Sequence, residues 1–356
     1  MNKGISPLAV IAVLLLWGMG ASVQQSPAAT ALTYDAQTRG PTPIPPSERT
    51  LQTAAAEPWF KVSDENHVLE GAIFDSNGNL LVCDVTDRRV LRLAADKKHA
   101  TIATVKDFAP GGLALHKDGR LFIAAMDLEK GLGTIVAVSP DGSRMETIIA
   151  PNAGYLPNDL VFDEQGGFYF TDFKGTSPNR EGGVYYASPD FRMITPVLRH
   201  LAMANGVALS PDGKTLWATE FGRNLLHRIE LADATTIATI GASIPYHFIG
   251  PAPDSMRTDA DGNVYVAMYG QGRVLAFNKN GIPIGQIVLP GREQGKNLLS
   301  TSLAIRPGRK ELYAVTSNAT GTEGAAIFQA KAFGNGLPPF SARRSHADNR
   351  VRNEEG

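Results

Sequence analysis

Four side chains of this 356-residue chain could together hold a hard cation: Glu70, Asn158, Asn205 and Asp254. Each stands eight residues before a glycine that ends a tight turn, just ahead of a short apolar run. Carboxylate and carboxamide oxygens are hard ligands, suited to calcium first, with magnesium and manganese behind it. One Asn or Asp ahead of a strand is ordinarily a turn residue. Four at a single register ask for another reason. Glu70 and Asp254, once brought together, repel each other unless a cation or a shared proton intervenes. None of the seven histidines has ligand spacing to another and none falls at this register, so zinc is not indicated.

The register comes from a repeat. Glycine-ended turns recur at Asn77-Gly78, Asp118-Gly119, Gln165-Gly166, Asp212-Gly213, Asp261-Gly262 and Pro307-Gly308, at intervals of 41, 47, 47, 49 and 46 residues. Before each turn runs an alternating apolar strand, such as Leu113-Ala114-Leu115, and after it a more continuous one, such as Val264-Tyr265-Val266-Ala267. Asn-Gly and Asp-Gly turns favour hairpins because these residues accept positive φ. A third strand follows most hairpins, for example Val90-Leu91-Arg92-Leu93. Six such units predict an all-β fold, a six-bladed β-propeller with four-stranded blades. Trp59-Phe60-Lys61-Val62 is expected to close the ring as the outer strand of the last blade, removing an exposed edge.

In a propeller the first strands of the blades surround a central channel, so equivalent positions at their starts form a ring at one mouth. Here the ring reads Glu70, Gly111, Asn158, Asn205, Asp254 and Ser300. The second strands return to the same mouth and end on Asp84, Asp172 and Glu220. Ser255, Asp172 and Glu220 are candidates for substrate contact, although such acids also orient neighbours or solvate loops.

Outside the repeats the composition changes. Residues 1–23 combine Lys3 with the apolar run Leu8–Met19, which reads as a signal peptide or an N-terminal anchor. Export to the periplasm or beyond is expected, with membrane attachment only if that segment is uncleaved. Residues 24–57 read as a Pro/Ala-rich linker, 58–333 as the propeller and 334–356 as a polar tail. The formal net charge of −1 gives no indication of nucleic acid. The single cysteine, Cys83, lies in an apolar strand and reads as a core thiol. Nothing in these features sets the oligomeric state.

The segments Leu69-Glu70-Gly71, Pro157-Asn158-Asp159, Asn205-Gly206-Val207 with Ser210-Pro211-Asp212-Gly213, and Pro253-Asp254-Ser255-Met256 resemble signatures of the SMP-30/gluconolactonase/LRE-like family. Met268–Val274 and Gly281–Ile287 look like its bacterial drug-responsive lactonase branch. The resemblance implies hydrolysis of a small-molecule lactone with a divalent cation in the central channel. It also implies Glu70, Asn205 and Asp254 as metal ligands, Asn158 on metal or substrate, and Asp159 as a catalytic neighbour. Asp254 or Asp159 would then accept the proton of the attacking water. Where sugar-lactonase members often carry an arginine, two residues before the Asn-Asp pair, this chain has Leu156, which favours a less polar lactone. No Gly-x-Ser-x-Gly elbow is present and Ser255 has no evident histidine partner, which disfavours a serine hydrolase. The alternative from another class is a non-catalytic binding propeller of the NHL type.

Overall fold

The computed structural model describes residues 40–317 and 324–338. Each glycine-ended turn forms as its residue types require: Gly78, Gly119, Gly166, Gly213, Gly262 and Gly308 all take φ between 68° and 100°. The hairpins they close build six antiparallel sheets. Blade 1 comprises Leu69–Phe74, Leu80–Asp84, Arg89–Leu93 and His99–Thr104; blade 2, Ala109–Leu115, Leu121–Asp127, Leu132–Val138 and Met145–Ile149. Blade 3 comprises Pro157–Phe162, Phe168–Asp172, Gly182–Ala187 and Ile194–Leu201; blade 4, Ala204–Leu209, Thr215–Glu220, Leu225–Leu231 and Ile237–His247. Blade 5 comprises Pro253–Thr258, Val264–Met268, Arg273–Phe277 and Pro283–Val288; blade 6, Leu299–Ile305, Glu311–Ser317 and Ala325–Lys331.

The first strand of every blade touches the first strand of the next, and that of blade 6 touches that of blade 1. The ring is therefore closed: a six-bladed β-propeller. Its core is divided into six apolar clusters, one at each blade-to-blade interface. The cluster between blades 6 and 1, for instance, packs Leu69, Leu80 and Leu91 against Tyr313, Val315 and Ile327.

Glu57–Ser63 pairs antiparallel with Ala325–Lys331 and supplies the fourth strand of blade 6. Trp59 from this strand meets the Tyr313 ring edge-on at 5.0 Å. Deleting residues 58–63 should lower the melting temperature by on the order of 10 °C, since several half-buried apolar contacts vanish and an edge opens. An unchanged calorimetric transition would refute the latch.

The expected boundaries shift at both ends. The segment taken as linker, 24–57, joins the fold from Pro46 onward, through a short 3₁₀ turn (Pro46–Glu48) and a strand (Gln52–Ala55). That strand runs parallel to Pro283–Val288 and makes blade 5 five-stranded. Composition could not show this, because the partners lie more than 200 residues away: Gln286 Nε2 donates to the Glu48 carbonyl and to Thr53 Oγ1. The polar tail expected from 334 likewise starts inside the fold. Gly334 N donates to the Tyr265 hydroxyl at 3.0 Å, and Gly336 bridges to Asp259 and Pro307. The apolar segment 1–23, residues 24–39 and residues 339–356 lie outside the described residues.

Candidate functional site

Every first strand is interrupted at the ring. The pairing register of first and second strands shifts between Glu70 and Ile73, Pro110 and Gly112, Pro157 and Leu160, Ala204 and Val207, Pro253 and Met256, and Ser300 and Ser302. Such bulges re-aim side chains and bend the strand. Close approach of the inner strands accompanies them. A Cβ on Gly71 would lie 2.3 Å from the Gly111 carbonyl oxygen, and one on Gly206 2.7 Å from that of Asp254.

Threonines hold the distorted backbone. Thr171 Oγ1 donates to the Asn205 carbonyl, Thr219 Oγ1 to that of Asp254 at 2.8 Å, and Thr301 Oγ1 to that of Leu69 at 2.6 Å. Gly206 N donates to Thr219 Oγ1 at 2.7 Å, completing the brace below Asn205. None of these threonines is evident from the sequence as part of a site, because what they hold lies on the neighbouring blade.

Within this frame Glu70, Asp159, Asn205 and Asp254 come together. Burial pushes Glu70 well above the usual carboxylate range, and the charges of Asp254 and Asp159 add to it. Burial likewise raises Asp254, against the opposing hydrogen bonds from Asn205 and Ser255 N, the latter to Oδ1 at 3.0 Å. Glu70 keeps partial contact with solvent while protein surrounds it elsewhere. Asn158 sits at the same register on blade 3, buried, with its carbonyl oxygen facing Gly111 and Gly112. Cys83 beneath Glu70 is buried, and burial with the Glu70 charge pushes its thiol up, so it stays protonated as a core residue.

Sequence reasoning missed Arg257. Its Nη1 donates to Asp159 Oδ2 at 2.8 Å and its Nη2 to the Ala72 carbonyl at 3.3 Å. Asp159 Oδ1 also accepts Leu160 N at 2.9 Å, so both oxygens of Asp159 are engaged. Arg257 closes the floor of the ring. Beyond it lies an apolar cavity of about 150 Å³, lined by Leu113, Leu160, Val207 and Leu209 and bordered by Leu337. An arginine in a strand beside Asp-Ser-Met carried no periodic signal of its own.

The channel thus gathers three carboxylates, Glu70, Asp159 and Asp254, with one guanidinium, that of Arg257, paired to Asp159, a surplus of two negative charges when all are ionised. Asn205, with its amide engaged by Asp254, leaves a buried Oδ1 without a hydrogen-bond donor. A divalent cation answers both features, since it balances two charges and is coordinated by carboxylate and amide oxygens. The donor set fits such an ion.

The three second-strand acids do another task. Asp172 Oδ1 accepts Leu156 N at 2.8 Å, and burial raises this carboxyl to about 6. Glu220 accepts Ala202 N at 2.9 Å and His227 Nε2 at 2.9 Å. Burial disfavours its charge, but these partners outweigh burial and lower its pKa. Asp84 binds His67 Nδ1 at 3.0 Å and Arg89 at 2.9 Å. In each blade the acid pins the chain entering its own first strand. His67, Asp84 and Asp87 also place ligand-type atoms within 4.8 Å of one another, yet Asp84 is already committed to His67 and Arg89. Of the expected substrate contacts, Glu220 and Asp172 each brace the backbone, and Ser255 lies buried beside Asp254.

Immediately after three second strands stand Phe173, Phe221 and Tyr269, half-buried and in contact with one another at centroid distances of 5.9 and 5.8 Å. Burial and the charges of Asp254 and Glu70 raise the Tyr269 phenol, which sets this aromatic wall beside the ring. The signal was available, because all three follow equivalent strand ends in blades 3, 4 and 5.

Comparison with known proteins agrees with this architecture. The chain is 48% identical over 311 residues to a lactonase drp35 of Staphylococcus haemolyticus, covering 86% of this chain and 95% of that protein. It is 44% identical over 313 residues to the Staphylococcus aureus lactonase drp35, covering 87% and 96%. The fold is similar to that of a calcium-binding regucalcin from Agrobacterium tumefaciens, with a TM-score of 0.65, 18% identity and coverage of 80% and 98%. A gluconolactonase from Xanthomonas campestris aligns with a TM-score of 0.62, also at 18% identity, over 80% and 98% of the two chains. Residues 68–318 match the family model described as SMP-30/Gluconolactonase/LRE-like region. With its closed ring of six blades and this match over most of its length, the chain belongs to the SMP-30/gluconolactonase/LRE-like family.

Proposed function

We propose that the chain is a divalent-metal-dependent lactonase acting at the channel ring. The observation that carries this reading is the crowding of Glu70, Asp159 and Asp254 beside Asn205 Oδ1, a buried oxygen without a hydrogen-bond donor. Its lactonase relatives support the reaction class. Glu70, Asn158, Asn205 and Asp254 would hold the cation, most simply calcium, with magnesium or manganese as substitutes. When bound, it would polarise the lactone carbonyl and stabilise the oxyanion that develops on attack.

The protein's own groups supply the rest. Asp254 takes a proton from the attacking water at the oxygen that Ser255 N does not hold, while the water oxygen bonds to the carbonyl carbon. The ring C–O bond then breaks and the departing alkoxide recovers the proton, giving a hydroxy acid. Asp159 is the less available of the two, because Arg257 is ion-paired with it, whereas Asp254 meets the neutral donors Ser255 N and the Asn205 amide. Its role is to hold Arg257 across the channel floor. Leu156 and the wall of Phe173, Phe221 and Tyr269 offer apolar surface and support a lactone of low polarity.

A hydrolysis assay with a simple aromatic lactone tests the proposal. Activity with calcium should fall by about 10²-fold or more in excess chelator and return when calcium is restored. Inactivity indifferent to chelator, with no bound metal by elemental analysis, would instead favour a non-catalytic binding propeller.

A further inference from the structure

Three buried side-chain atoms among the described residues lack a hydrogen-bond partner: Glu48 Oε2, Asn205 Oδ1 and Ser300 Oγ. The first is ion-paired with Arg273 at 2.6 Å. The other two both lie at the ring register, eight residues before a turn glycine, on blades 4 and 6. Buried hydroxyls nearly always find partners, so an unmatched one in a packed strand points to a water or an ion as its partner.

Its neighbours sharpen the contrast. Ser300 opens the run Ser300-Thr301-Ser302, in which Thr301 Oγ1 donates to the Leu69 carbonyl at 2.6 Å. Ser302 Oγ accepts Ala72 N at 3.2 Å. Across the hairpin, Thr316 Oγ1 donates to the Ala326 carbonyl at 3.1 Å. Each of these hydroxyls has a protein partner; that of Ser300, fully buried, has none. Its strand lies between that of blade 5, which carries Asp254, and that of blade 1, which carries Glu70. Ser300 therefore occupies the ring sector between the two carboxylates that most need a shared cation.

We infer that Ser300 contributes its hydroxyl oxygen to the cation held at the ring, as a fifth protein oxygen beside Glu70, Asn158, Asn205 and Asp254. This inference rests on the divalent-cation reading of the site. A neutral hydroxyl suits the position, because it adds a hard oxygen without a third charge on the cation. Gly111 is then the single ring position without an oxygen-bearing side chain.

The test is calorimetric titration of calcium chloride into chelator-stripped full-length protein, wild type and Ser300→Ala, with melting temperatures recorded in chelator. The variant should bind calcium about 10-fold more weakly, as for loss of a single supporting group at a metal site. Its metal-free melting temperature should be unchanged or higher, since the substitution removes an unsatisfied hydroxyl. Equal calcium affinity in the two proteins would overturn the inference while leaving the cation site intact. A wild type that binds none of calcium, magnesium or manganese would overturn the cation reading itself, and this inference with it.

Discussion

Asp254→Asn should abolish lactone hydrolysis, by at least ~10³-fold, while the metal-free protein melts at the same temperature as wild type or higher. The substitution preserves shape and removes one of three carboxylates that crowd one another at the ring. Asp254 is buried, and its pKa in the fold is raised, so ionising it destabilises the metal-free protein. For a raised carboxylate the stability is fully present below the unfolded value, ~3.9, and is lost as pH rises through the folded value. The advantage of Asn over Asp in chelator should therefore grow from pH 4 towards neutrality. If the ring holds calcium as proposed, calcium at one hundred times its Kd should stabilise wild type by about 2.7 kcal/mol, or ~5–10 °C for a domain of this size. That rise should disappear in the variant. Thermal scans with and without calcium, paired with a lactonase assay, check all three outcomes. Turnover like wild type would remove Asp254 from the mechanism; a large loss of metal-free stability would make it a structural residue.

Glu48→Ala should destabilise the propeller severely although it lies in a segment whose composition resembles a tether. Glu48 Oε2 pairs with Arg273 Nη1 at 2.6 Å, and the side chains are 2% and 1% exposed. Arg273 further donates to Gln271 Oε1 at 2.9 Å and Gln286 Oε1 at 2.8 Å, and Tyr246 donates its hydroxyl to Glu48 Oε1. Burial pulls the guanidinium pKa down while Glu48 holds it up. Removing one member of such a pair strands the other charge in the interior and costs about 3–5 kcal/mol. For a domain of this size that lowers the melting temperature by ~6–20 °C. The double variant Glu48→Ala/Arg273→Met, which removes the stranded charge, should recover much of the loss. Calorimetry of the three proteins checks this. A single-variant change below about 2 °C would show that the segment 46–55 contributes nothing to the fold.

The contrast between these two residues shows how far the sequence reached. Asp254 was legible because the chain repeats: six glycine-ended turns give a common origin, and counting back from them aligns residues that differ in identity but share a place. Glu48 was not legible. It belongs to no repeat, and its partner lies 225 positions away on the third strand of blade 5. Thr171 and Thr219 were missed for the same reason, since each acts on a neighbouring blade, and so was Arg257, which reaches across the channel from blade 5 to blades 3 and 1.

The role of the second-strand acids was open for a different reason. Asp172 and Glu220 fall at the correct mouth, yet a carboxylate there can face substrate or brace the chain. Only the folded chain shows the bracing use, through their bonds to Leu156 N and Ala202 N. Asp159 and Asp254 were equally eligible as bases, and the pairing of Asp159 with Arg257 is what supports the proposal of Asp254.

The amino-acid sequence by itself determined the six blades, the latch strand and the ring register, because period, turn chemistry and strand alternation are local properties that every blade restates. The tertiary structure alone decided which oxygens at that ring are spent on protein partners and which remain buried without one. That distinction depends on distances between strands from different blades, and such distances exist only after the ring has closed.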